Sequence, residues 1–174
     1  MMVCAGASEI AMAEWASMFA QQALGVSKLV GDLAGPCAFA ILMGTGRILY
    51  ARFSASLSFR KTVIALSALC AACYLTTALT NIPLLALISC AVCGFTVSVM
   101  WPGTYSAGAK AFPKGDAVMF SVFAMCGDLG CCLGPWILGI IADIKSLHTG
   151  IAFTAIFPII MLITSIFFFK EEKE

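Results

Sequence analysis

From Thr62 to Ala109 the chain reads TVIALSALCAACYLTTALTNIPLLALISCAVCGFTVSVMWPGTYSAGA, a run without one Asp, Glu, Lys or Arg. Only Asn81-Ile82-Pro83 breaks it with turn chemistry. A helix needs about 20 mostly apolar residues to cross a hydrocarbon core. The run therefore predicts two membrane helices joined by a very short hairpin, with lipid as their solvent.

The rest of the chain agrees: 61% of its 174 residues are hydrophobic and 11% are charged. A net charge of +1 offers no basis for a nucleic-acid partner. Backbone in lipid must satisfy its own hydrogen bonds, and the apolar runs do not alternate as barrel strands would. The expectation is an all-α membrane protein, a single six-transmembrane-helix bundle over 1–174, with helices at about 1–23, 34–53, 60–80, 83–109, 116–143 and 149–170. Between them lie Gly25 and Gly31-Asp32, Asn81 to Pro83, Pro113-Lys114-Gly115, and Lys145 to Gly150.

Six spans put both chain ends on one side. That side collects Arg47, Arg52, Arg60, Lys61, Lys110, Lys114, Lys170 and Lys173, against Lys28 and Lys145 on the other. By the positive-inside rule both termini are expected to be cytoplasmic, in a plasma or inner membrane. Arg47, Arg52, Arg60 and Lys61 then serve as topology determinants. The first helix starts at Met1 without a basic flank, and Glu9 and Glu14 interrupt it, which is unlike a signal peptide. The expectation is a chain that starts inside a span, as a truncation would.

Cys70-x-x-Cys73 and Cys90-x-x-Cys93 match the spacing of a four-cysteine zinc site. Within lipid-embedded helices the same residues serve as small apolar packing groups, and that reading is preferred. No metal and no cofactor is expected. His148 is read as an outward loop residue rather than a base or ligand.

Ionisable groups within the spans carry the functional signal. An acidic residue at a helix centre costs roughly 2.5–3.5 kcal/mol on insertion scales, so such residues usually face a bundle interior or a water-filled path. Glu9, Glu14 and Asp128 fit that description. Glu14, Ser17 and Gln21 fall at i, i+3 and i+7 on one stripe, while Glu9 lies about 140 degrees around the helix from Glu14. Ser98, Trp101 and Tyr105 repeat the spacing on the fourth helix, where Pro102 frees carbonyls that can bind water or solute. Trp101 and Tyr105 suit either sugar stacking or an interfacial aromatic belt.

The fifth helix carries Gly127, Gly130, Gly134, Pro135 and Gly139, a groove for close helix packing. Gly130-x-x-x-Gly134-Pro135-x-x-x-Gly139-x-x-x-Asp143 is similar to the eleventh helix of major facilitator superfamily transporters. Gly46-Arg47 through Arg52 and then Arg60-Lys61 looks like the basic loop joining that family's helices eight and nine, although Ala51 stands where the family usually has an Asp. Met100-Trp101-Pro102-Gly103-Thr104 with Ser106-Ala107-Gly108-Ala109-Lys110 resembles helix ten of its fucose-permease-like sugar and proton symport branch.

The resemblance implies half of a twelve-helix major facilitator fold, helices seven to twelve, whose partner is the missing amino-terminal six-helix half. It implies secondary active transport of a small polar solute, such as a sugar, by alternating access around a midplane site, coupled to protons. A buried carboxylate among Glu9, Glu14 and Asp128 would carry the proton. The rival is a non-transporting remnant or structural membrane fragment. An intramembrane protease is excluded, because Gly6-Ala7-Ser8-Glu9 is no Gly-x-Ser-Gly loop and His148 stands alone.

Overall fold

The structure, a computed structural model, describes residues 1–25, 27–54 and 56–168. The expected helix end at 170 and the tail lysines Lys170 and Lys173 lie outside the described residues. All regular structure among the described residues is helical. It comprises α1 (Met2–Leu24), α2 (Lys28–Asp32), a π-helical turn (Leu33–Cys37), α3 (Ala38–Phe53), α4 (Phe59–Leu79), α5 (Pro83–Val97), α6 (Met100–Ala111), α7 (Ala117–Ile144), α8 (Leu147–Thr154) and α9 (Ile156–Phe168).

These segments make six rods, because α2 runs into α3, α5 into α6 and α8 into α9. The interruptions share one cause. Proline has no N–H, and its ring crowds the carbonyl four residues earlier. Pro36 acts on Asp32, where α2 gives way to the π-helical turn. Pro102 acts on Ser98, between α5 and α6, and Pro158 acts on Thr154, the last residue of α8. Hydroxyls meet some of the disturbed backbone, with Ser98 Oγ donating to Phe95 O at 2.6 Å and Thr154 Oγ1 to Ile151 O at 3.0 Å.

Two expectations are corrected here. Gly31-Asp32 is not a break after the first helix, because the second rod starts at Lys28, where Ser27 Oγ accepts the Val30 N–H. His148 is not a loop residue. It lies in the first turn of α8, with Nδ1 2.8 Å from Ala78 O and its ring edge-on to Phe19 at 5.0 Å, so it ties together α8, α4 and α1.

Among the described residues five segments are long and apolar enough to cross a membrane: Lys28–Phe53, Phe59–Leu79, Pro83–Ala111, Ala117–Ile144 and Leu147–Phe167. The sequence reading expected six such spans. α1 falls short of that apolarity because two glutamates interrupt it, yet it packs against α5, α7, α8 and α9 within the bundle.

Small side chains let the rods approach. On α7 a Cβ at Gly130 would lie 2.0 Å from Val3 O, and one at Gly134 would lie 2.7 Å from Ala7 O. α1 and α7 are therefore in backbone contact and run parallel. α3 meets the α5–α6 rod in the same way, since Gly94 faces Phe39 O and Gly46 faces Ser98 Oγ. The interior is filled by alanine, cysteine and serine together with Met12, Tyr74 and Met100, whereas Leu79, Leu84 and Phe167 are exposed on the outside. Small residues inside and large apolar residues outside is the pattern of helices packing in lipid.

Candidate functional site

The bundle opens into a crevice of about 480 Å3, lined by Glu9, Ile10, Arg47, Trp101, Pro102 and Cys131. Four rods supply these residues: α1, the rod ending in α3, the rod ending in α6, and α7. Cys131 falls half-way along α7, and Trp101 just past the middle of the Pro83–Ala111 span. Gly127 is what lets the Trp101 indole lie against α7, because a Cβ there would sit 2.4 Å from Trp101 Cη2.

Arg47 Nη2 donates to Glu9 Oε1 at 3.4 Å and lies 3.5 Å from Met43 Sδ. The carboxylate is 14% exposed and the guanidinium 46% exposed. Two buried polar atoms at this crevice have no protein partner, namely Glu9 Oε2, an acceptor, and Trp101 Nε1, a donor. Pro135 has no N–H, so the Cys131 carbonyl lacks its usual helical partner four residues on. A polar molecule seated here would lie beside Glu9 and Trp101, the two lining side chains that each carry a polar atom without a protein partner.

The other expected pathway residues are distributed differently. Glu14 is exposed and lines a second crevice with Trp15, Met18, Pro135 and Trp136. Ser17 and Gln21 do not extend its stripe as free polar groups. Ser17 Oγ donates to Asp32 Oδ1 and accepts from Gln21 Nε2 at 2.9 Å, which ties α1 to α2. Ser98 is fully buried, its hydroxyl turned to Phe95 O. Tyr105 packs in an aromatic group, 6.0 Å from both Phe120 and Phe123 and 6.4 Å from Trp101. Asp128 is exposed, one turn before Cys131 on α7. Arg52 and Lys61 are exposed, and Arg60 Nη2 donates to Ile166 O at 3.2 Å.

Sequence reasoning missed Arg47 and Cys131 as crevice residues. For Arg47 a signal existed: it lies six positions inside the end of an apolar helix, not in the loop. For Cys131 there was none, since its neighbours come from other rods. The four cysteines with zinc-like spacing are all buried, Cys70 Sγ lies 3.7 Å from Cys93 Sγ, and no group of three or more potential ligands among the described residues converges to hold a metal ion.

The geometry defines an all-helical integral membrane protein with a polar crevice among its helices. A family model described as the Major Facilitator Superfamily matches residues 1–174, and the chain belongs to that family. It is also similar to a membrane protein, MosC of Rhizobium meliloti, at 31% identity over 165 residues, which cover 94% of this chain and 40% of MosC. The chain therefore spans about two fifths of the length of the curated relative it matches.

Proposed function

We propose that the chain is the carboxy-terminal six-helix half of a secondary transporter, with the Glu9–Arg47–Trp101 crevice as one wall of a midplane solute site. The observation that carries this reading is the convergence of four rods on a crevice holding an unpartnered carboxylate oxygen and an unpartnered indole N–H. Family membership and the share of MosC that is matched support it. The solute is small and polar, with a hydroxyl-bearing molecule such as a sugar suited to the paired acceptor and donor, in keeping with the resemblance to the fucose-permease-like branch.

Alternating access would come from rocking of this bundle against an amino-terminal six-helix half. Proton coupling would use a carboxylate whose charge state changes which conformation is favoured. Glu9 is the first candidate, because protonation would release Arg47; Glu14 and Asp128 follow. The basic-residue bias supports cytoplasmic termini. No catalytic chemistry is assigned to the chain.

Two measurements test the reading. An in-frame upstream coding segment for six more apolar helices supports the half-carrier, and its absence favours a non-transporting membrane fragment. In the complete carrier reconstituted in vesicles, neutralising Glu9, Glu14 and Asp128 one at a time should identify a variant that loses gradient-driven accumulation yet keeps solute exchange. Accumulation that survives all three rules these groups out as coupling residues.

A further inference from the structure

We propose that Glu14, Trp15 and Trp136 form a recognition site for the alkylammonium group of an organic cation. The site is the crevice of about 410 Å3 between α1 and α7, lined also by Met18 and Pro135. It is separate from the Glu9 crevice and does not depend on the transport reading.

Charge balance is the first argument. Both glutamates of α1 sit well inside the helix, but their surroundings differ. Glu9 has Arg47 as its counter-charge, whereas no ion pair meets Glu14 among the described residues. The groups around Glu14 are indoles, a thioether and a proline ring. None supplies a positive charge, so the exposed Glu14 carboxylate is left open to a cation from outside this set.

The walls are the second argument. A cation over an indole face is attracted by the ring quadrupole, tryptophan being the strongest of the aromatic side chains for this contact. Gly139 leaves room for the Trp15 indole against α7, since a Cβ there would lie 3.1 Å from Trp15 Cζ2. Trp136 stands one turn before Gly139 on the same helix and is 63% exposed. The Met18 thioether adds a polarisable apolar contact. A trimethylammonium or alkylammonium head needs a single negative charge and aromatic rings, and the lining brings one carboxylate and two indoles together.

The test uses the full chain in detergent micelles with Trp101→Phe, which leaves Trp15 and Trp136 as the emitting indoles. Choline is titrated against 3,3-dimethylbutan-1-ol, its neutral isostere. Choline is expected to change the emission saturably, with the isostere about tenfold weaker or worse. Glu14→Gln should weaken choline by about tenfold, and Glu14→Asp should restore part of the affinity. Asp116→Asn, at the opposite end of α7, should leave it unchanged. If Glu14→Gln loses helical circular dichroism, Trp136→Leu replaces it, with the same loss expected. Equal binding of the isostere, an unchanged response in Glu14→Gln or Trp136→Leu, or no saturable response to choline overturns the proposal and leaves Trp136 as an interfacial belt residue.

Discussion

Arg47 of α3 reaches Glu9 of α1 at 3.4 Å across the crevice, joining two rods that follow one another in the chain. The pair is lopsided, with Glu9 Oε1 engaged and Glu9 Oε2 buried without a partner. A carboxylate at this depth is tolerated because a guanidinium stands beside it and the crevice opens next to it.

The coupling within this pair is measurable. Arg47→Ala strands the Glu9 carboxylate and is expected to lower unfolding stability in mixed micelles by about 1 kcal/mol or slightly more, the half-exposed guanidinium keeping the figure low. Glu9→Gln combined with Arg47→Gln should cost less than the sum of the single changes. Strictly additive effects would show that the two side chains do not interact.

Contact between α1 and α7 rests on missing side chains. Gly130→Val places a Cβ 2.0 Å from Val3 O, so the helices must move apart, at an expected cost of about 1–3 kcal/mol. Gly44 of α3 has nothing within 4 Å of the same position, and Gly44→Ala should be neutral or stabilising by up to about 1 kcal/mol. Similar unfolding curves for Gly130→Val and the parent would contradict the close α1–α7 approach.

Cysteine chemistry separates crevice from core. In single-cysteine variants, Cys131 should react with a small, membrane-impermeant thiosulfonate, because it lines the crevice. Cys93, fully buried beside Cys70, should stay protected until the bundle is unfolded. Mass spectrometry of the labelled chain reads both rates. Labelling of Cys93 as fast as Cys131 would mean that the core is open or the crevice closed.

Tyr74 crosses the core from α4 to donate a 2.7 Å hydrogen bond to Ser8 O of α1. Tyr74→Phe keeps the ring and removes the donor, so a loss of about 0.5–1.5 kcal/mol is expected in the same unfolding assay. A loss much larger than that would point to ring repacking instead of the hydroxyl.

Much of the fold was legible because its causes are local. The charge-free run became α4, α5 and α6, and the disturbance expected at Pro102 appears as the break between α5 and α6, since a missing N–H acts within one turn. The glycine series on α7 announced a close helix neighbour without saying which one. The misreadings arose where local chemistry gave the wrong partner. Gly31-Asp32 looked like a break but lies in a helix whose Asp32 accepts from Ser17. His148 looked like a loop residue because its partners, Ala78 and Phe19, belong to other rods.

The sequence alone determined that the solvent is lipid and that the backbone is helical, because hydrocarbon leaves helices the means of pairing these apolar runs. The tertiary structure decided which acid meets a base. Glu9 and Glu14 are chemically equivalent along the chain, but the angle between them on α1 turns one toward Arg47 and the other toward two tryptophans. That choice depends on how neighbouring rods are rotated and how closely glycines let them approach, and no span encodes it by itself.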